Sequence, residues 1–214
     1  MLETVVRFFQ EGGPFMYPIA LVLVVGLAIA IERFLFLGVV HRRNRQTFER
    51  SILPLLQKRD YQQAMAAASR SDSAIANILS AGLARLLNDH RREDIEYAME
   101  EGLMEVLPRL EKRTQYLATL ANVATLLGLL GTIIGLIAAF TAVAAADPSQ
   151  KATMLSESIS VAMNTTAFGL MAAIPLLMFH ALLQTRTNEL VDSFEMAGVK
   201  LLNIIADKAP SQTA

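Results

Sequence analysis

The chain has 214 residues, 53% of them hydrophobic, and a mean hydropathy of +0.40, which exceeds the apolar share of a soluble domain and points to a polytopic membrane protein. The formal net charge of −1 says little as a total because charge is sorted by region, and no nucleic-acid partner is expected. The absence of Cys excludes a disulfide framework, a thiolate metal site and a thiol nucleophile; with no Trp, an interfacial aromatic belt must use Tyr and Phe.

Residues 1–14 alternate Leu2, Val5, Val6, Phe8 and Phe9 with Glu3, Arg7, Gln10 and Glu11. This predicts a short amphipathic helix in the membrane interface, ended by Gly12-Gly13-Pro14. A first span follows over 15–40. A cleaved signal peptide is not expected here, because the positive charges follow the apolar run and no small-residue cleavage site is evident. Glu32 and Arg33 sit near its inner boundary and read as a snorkelling pair, with a buried ion pair to a neighbouring helix as the less favoured alternative.

The segment 41–113 forms a polar but periodic helical domain. Asp60 is placed to cap a helix through Ala68. Ser73–Leu87 carries Ile75, Ile78, Leu79, Leu83, Leu86 and Leu87 on one side. From Arg91, the residues Ile95, Met99, Leu103, Val106, Leu107 and Leu110 keep helical spacing. No break follows them, so one continuous helix is expected from about 91 to 145, with a kink at Pro108. Its membrane part is the second span, 114–146, which contains a 31-residue run without charge, Tyr116–Ala146. A bilayer core of roughly 30 Å needs about 20 such residues.

A short loop, 147–157, leads to a third span, 158–185, with Pro175 inside it. Beyond Arg186, the residues Leu190, Phe194, Ala197, Leu201 and Ile205 continue the helical spacing over 186–209. The residues 210–214 read as a disordered tail. The segment 41–113 holds 13 of the 19 Lys and Arg residues. The flanks at 1–14 and 144–157 hold one each, Arg7 and Lys151. The positive-inside rule then places 41–113 and the C-terminus in the cytoplasm, with the N-terminus and the 147–157 loop outside.

Two stripes of small and hydroxyl residues mark the second and third spans. Thr125, Gly128, Thr132 and Gly135 share one face, and Ala162, Thr166, Gly169 and Ala173 share another, with Asn122, Asn164 and Thr165 nearby. A lipid-facing helix gains nothing from such a stripe, whereas one that packs closely on another helix or lines a wet path does. A Thr hydroxyl can also simply bond its own i−4 carbonyl. No Asp, Glu, Lys or Arg lies near the middle of a span, and His180 sits towards the cytoplasmic end as an interface residue. A proton path needs a titratable carrier at depth. If protons cross here, the carboxylate belongs to a different polypeptide.

Three pieces carry a resemblance: Ala30-Ile31-Glu32-Arg33, the GLLGTIIGLIAAF of Gly128–Phe140, and the TTAFGLMAAIP of Thr165–Pro175. With their order and the large loop between spans, they resemble the MotA/TolQ/ExbB proton channel family, in its three-span ExbB/TolQ-like branch. The resemblance implies an all-α membrane protein of three transmembrane helices, with helices 2 and 3 extending into a helical cytoplasmic domain. It implies a homopentamer in the bacterial inner membrane whose second and third spans surround a dimer of an ExbD/TolR-like single-span protein. That partner's membrane Asp would carry the proton, and a TonB/TolA-like envelope protein is a further candidate partner. Position by position, Thr166 matches the third-span Thr of the family, and Gly131-Thr132 with Gly135 match its second-span pattern. The ion-pathway or partner-facing set is then Thr166, Thr132, Thr125, Thr165, Asn122, Gly128, Gly135 and Gly169. The chain departs from the pattern at Val161, where relatives usually carry Glu, and at Val123 and Thr125, where a Thr and a Pro are usual.

The leading reading is a subunit of an ion-driven motor that passes force to the periplasm or outer membrane. The alternatives are a non-conducting oligomeric scaffold for a single-span partner, which Val161 favours, and an independent small-solute channel, which the lack of a repeat or charged midplane site disfavours. No nucleophile–base pair, metal cluster or cofactor motif is present in the sequence, so an enzyme is not expected.

Overall fold

The computed structural model describes residues 12–88 and 91–206, and every regular element among them is helical. The expected interfacial helix falls outside the described residues except for Gly12-Gly13-Pro14, and the tail 210–214 falls outside them entirely. The elements are α1 (Met16–Gln46), a π-helical segment (Thr47–Ile52), α2 (Leu53–Gln57), α3 (Tyr61–Ser69), α4 (Ala74–Leu87), α5 (Arg92–Glu111), α6 (Thr114–Ala145) and α7 (Lys151–Ala206). Three helical stretches, in α1, α6 and α7, are long and apolar enough to cross a membrane. The chain is a multi-pass membrane protein.

The helices pack into two compact units. The first contains the described residues up to Arg33 together with Arg113–Leu183. Here α1, α6 and α7 form a three-helix layer whose directions follow from the residues that meet. Gly13 faces Val161 and Gly26 faces Leu176, so α1 and α7 run parallel. Gly131 faces both Phe15 and Thr165, Gly135 faces Ala162, and Arg113 pairs with Glu32, so α6 runs against both. Pro18 lies in the first turn of α1, where the missing N–H costs nothing.

The second unit contains Phe34–Lys112 and the described residues from Gln184 onward. As the sequence pattern predicts, α4 buries Ile75, Ile78, Leu79 and Leu83, and α5 buries Ile95, Met99 and Leu110. On α7, Leu190, Phe194, Ala197 and Leu201 are buried. Glycines permit the close fit of α4 on α5. A Cβ on Gly82 would lie 2.6 Å from Met99 Cγ, and one on Gly102 would lie 3.3 Å from Ile78 Cα. Asp60 caps α3 as expected, accepting from the Gln63 amide at 3.1 Å. The α4 cap comes from elsewhere in the chain. Ser73 occupies its N-cap position without a side-chain cap bond, while buried Asn44 of α1 accepts from the Ile75 amide at 2.9 Å and donates from Nδ2 to the Val40 carbonyl at 2.8 Å.

Two expectations need correction. The helix expected to run unbroken from about 91 to 145 is broken between α5 and α6. Lys112 is extended (φ −48°, ψ 132°) and Arg113 is left-handed (φ 66°, ψ −17°). Neither residue is a glycine or a proline, so local propensity gives no warning. Glu32 is the other correction. Instead of snorkelling beside Arg33, it receives a hydrogen bond from Arg113 at 3.1 Å, so the less favoured reading, an ion pair to a neighbouring helix, is the one found, half-exposed and not buried, between α1 and the start of α6. Arg33 is buried. This pair holds the guanidinium of Arg113, one of the two residues whose backbone conformation breaks the helix.

Replacing Asn44 by Leu leaves the Ile75 N–H without its acceptor in a buried place. Such an orphan costs about 1–3 kcal/mol. Amide hydrogen exchange at Ile75 and Ala76 is expected to accelerate strongly in Asn44→Leu while exchange within α6 stays unchanged.

Candidate functional site

The contact between α6 and α7 is built from the smallest side chains. Ala121, Ala124, Gly128 and Gly131 are buried along α6, and Ala162, Thr165, Gly169 and Ala172 along α7. Their alternating steps of three and four are the period of a close-packed helix seam. Apolar side chains gain no hydrophobic energy by leaving lipid, so helix pairing in a membrane depends on contact area and on polar bonds across the contact. The tightest point is Gly169. A Cβ there would meet the Ala124 carbonyl oxygen at 2.8 Å and Gly128 Cα at 3.0 Å, both backbone atoms. A Cβ on Gly128 would meet three backbone atoms at 3.3 Å. Backbone touches backbone here, and Thr166 uses the proximity by donating its hydroxyl to the Gly128 carbonyl at 2.9 Å.

The seam has two flanks of different character. One faces α1: Thr165 is buried there, its hydroxyl 2.6 Å from the Gly12 carbonyl oxygen and 2.9 Å from that of Val161. The other flank is turned away from α1. It carries Asn122, Thr125 and Thr132 on α6, three and seven residues apart, with Thr166 at its edge on α7. Asn122 and Thr125 are exposed, and Thr132 and Thr166 are half-buried. Each hydroxyl donates to a backbone carbonyl: Thr125 to Ala121 at 3.1 Å, Thr132 to Leu129 at 2.6 Å and Thr166 to Gly128. A hydroxyl has one hydrogen and two lone pairs. With the hydrogens directed into the helices, this flank presents a row of acceptor oxygens. The remaining exposed face of α6, with Leu126, Leu130, Ile133, Ile137 and Phe140, is mostly apolar; the exposed Thr119 and Thr141 outside the flank each donate to a carbonyl of their own helix, Gln115 at 3.4 Å and Ile137 at 2.9 Å.

The structure thus divides the residues singled out from sequence. Gly128, Gly135 and Gly169 are brought together with their counterparts across the seam, Thr165 is committed to α1, and Asn122, Thr125, Thr132 and Thr166 share the outward flank. Sequence reading passed over Ala121, Ala124 and Ala172 of the seam. The signal that finds them is the 3.5-residue recurrence of Ala and Gly in both spans. Val161 lines a cavity of about 280 Å³ with Gly13, Pro14, Ile134, Ala138 and Ser158. Ser158 and Thr165 are the polar side chains of an otherwise apolar lining. His180 is half-buried on α7. No group of three His, Cys, Asp or Glu side chains able to hold a metal occurs among the described residues.

The seam makes a ranked prediction. Gly169→Ala forces backbone apart and should destabilise the membrane unit by about 1–3 kcal/mol, the usual range for overpacking. Gly128→Ala should cost less, and Gly38→Ala, where a Cβ meets nothing within 4 Å, should cost nothing. Thermal unfolding in one detergent ranks the three.

Comparison with known proteins agrees with this architecture. A family model described as the MotA/TolQ/ExbB proton channel family matches residues 70–196. An ExbB homologue of Methanothermobacter thermautotrophicus, named as a biopolymer transport protein, is 28% identical over 194 residues, covering 90% of this chain and 67% of the relative. An ExbB-like biopolymer transport protein of Synechocystis is 30% identical over 199 residues, covering 90% and 76%. The Tol-Pal system protein TolQ of Haemophilus influenzae is 36% identical over 97 residues, covering 45% and 42%. The matched region begins just after α3, includes α4, α5 and the seam and ends within α7, and with the three apolar helices it places the chain in the MotA/TolQ/ExbB proton channel family, on its ExbB/TolQ side.

Proposed function

We propose that the chain is the wall-forming subunit of a proton-driven motor of the inner membrane. Copies of it, five by the family resemblance, enclose the single-span helices of an ExbD/TolR-like partner. The observation that carries this reading is the hydroxyl flank of α6 and α7. It gathers Asn122, Thr125, Thr132 and Thr166 on one side of the pair, it faces away from α1, and none of the described residues covers it. In a ring with α1 outermost, that flank lines the centre. The Lys- and Arg-rich segment 41–113 then lies in the cytoplasm and the 147–157 loop outside.

The chemistry of the flank supports a division of labour. Thr, Asn, Gly and Ala offer no group that gains or loses a proton near neutral pH, so this chain supplies a path and the partner supplies the carrier. The oxygens of Thr125, Thr132 and Thr166 accept hydrogen bonds, which suits a protonated carboxylic acid or water passing along them. An ionised carboxylate needs donors and has to compete for hydroxyl hydrogens already given to backbone carbonyls. The wall therefore favours the neutral partner at this height and resists stopping at the charged one. The names of the relatives, biopolymer transport and the Tol-Pal system, support an output at the cell envelope through a TonB/TolA-like protein. Val161 and the largely apolar cavity around it favour the second reading, a scaffold that holds a single-span partner without conducting.

Two experiments test the proposal. Thr166→Val is expected to abolish proton-dependent output and leave assembly with the partner intact, while Thr166→Ser retains output; normal output from the Val variant refutes the path role of that oxygen. Lost interhelical bonding alone is a small effect, on average about 0.6 kcal/mol in membrane proteins, so a stability change does not account for complete loss. Purified without its partner and placed in vesicles, the chain is expected to leave a pH gradient standing. Rapid selective proton leakage would show that this polypeptide holds its own carrier.

A further inference from the structure

The second unit presents two grooves on opposite sides of α7. The first, about 330 Å³, lies where α7 meets α4 and α5. Its rim carries Glu96 and Glu100 of α5 and Glu195 of α7, over a floor that includes Met99 and Phe194. No basic residue lines it. The second, about 500 Å³, lies where α7 meets the end of α1 and the π-helical segment. Its rim carries His41, Arg45 and Lys200, with Glu49 as the one acid. Glu49 is taken up by Arg45 at 3.1 Å, and the Lys200 ammonium stands 5.7 Å from the centre of the Phe48 ring. The first groove thus bears three negative charges. The second bears one net positive charge with His41 neutral and two with His41 protonated.

The positions on α7 fix the geometry. Glu195, Gly198, Val199 and Leu202 belong to the acidic groove, and Ser193, Met196, Ala197 and Lys200 to the basic one. At 100° per residue, these two sets point to nearly opposite sides of the helix. The ridge between them leaves Met196 and Val199 exposed at 58% and 54%, among charged residues and beyond the apolar span. Exposed apolar side chains rimmed by complementary charge are the composition of a contact surface.

We propose that a second copy of this chain occupies these surfaces: the acidic groove of one protomer faces the basic groove of the next, with the Met196–Val199 ridge covered between them. Because the two surfaces differ, the contact is heterologous, and repeating it generates a ring when the rotation closes. This rests on the oligomeric reading given above and deepens it by naming the faces that meet. It also separates the contacts. The hydroxyl flank belongs to the membrane unit and is left for the partner helices, while the second unit carries the contact between copies.

The test uses the full chain in lipid nanodiscs. The sequence has no native Cys, so introduced thiols report alone. Glu100→Cys combined with Lys200→Cys puts the two thiols on opposite sides of α7, out of reach of each other within one copy. Mild oxidation is expected to give a ladder of covalent dimers, trimers and higher species, and each single-Cys variant is expected to stay monomeric on the same gel. Native mass spectrometry of the unmodified chain gives the copy number independently. An oligomer by mass with no ladder overturns the assignment of faces and leaves the oligomeric reading standing. Strong dimers from either single-Cys variant show a two-fold contact and overturn it as well. A monomer by mass removes both.

Discussion

The approach of α6 to α7 at Gly128 and Gly169 is the constraint on which the membrane unit depends. In water, two helices with this many alanines and glycines would bury little and hold weakly. In lipid the balance differs, because apolar bulk on either helix is as well solvated outside the contact as within it. What remains is contact between backbones and the bonds that only close backbones can make. The Thr166–Gly128 bond exists because no side chain separates the two helices at that level. Adding one carbon at Gly169 would intrude on the Ala124 carbonyl and lengthen that bond.

The same contact determines which surfaces are free. α1 takes one flank of the seam, secured by Thr165 on Gly12 and, at the opposite end, by Arg113 on Glu32. The other flank keeps its polar groups and is not covered by any of the described residues. Polar oxygens on an uncovered transmembrane face are costly in lipid and useful beside water or a passing polar group. Under the function proposed above, the absence of any mid-span carboxylate, lysine or arginine separates the path from a carrier brought by another polypeptide, and a family described as proton channels accommodates that separation.

Much of the fold was legible because hydrophobic periodicity is strong wherever a helix has one buried face. The core faces of α4 and α5 followed from Ile75, Ile78, Leu79, Ile95 and Met99. Asp60 behaved as a cap because short acidic side chains bond to the first amides of a helix. Three features were not legible, each for a physical reason. The break at Lys112–Arg113 carries no Gly or Pro, and is set by where the chain must go and by Glu32, 81 residues away. The cap of α4 comes from Asn44, 31 residues upstream, which local reading does not reach. The seam was half seen because the search favoured hydroxyls: Thr125 and Thr132 lie one step round the helix from the residues that touch α7, and alanines such as Ala121 and Ala124 attract no attention singly.

A seam of glycine and alanine has no rotamers to freeze. Bringing its two faces together forfeits no side-chain entropy, and the faces have no alternative packing to fall into if the helices shift. Larger side chains could swing to heal a misfit; these have nothing to swing. The oxygens of Thr125, Thr132 and Thr166 are therefore held at fixed heights, like marks on a ruler, and in the function proposed above it is the partner's group that has to do the accommodating.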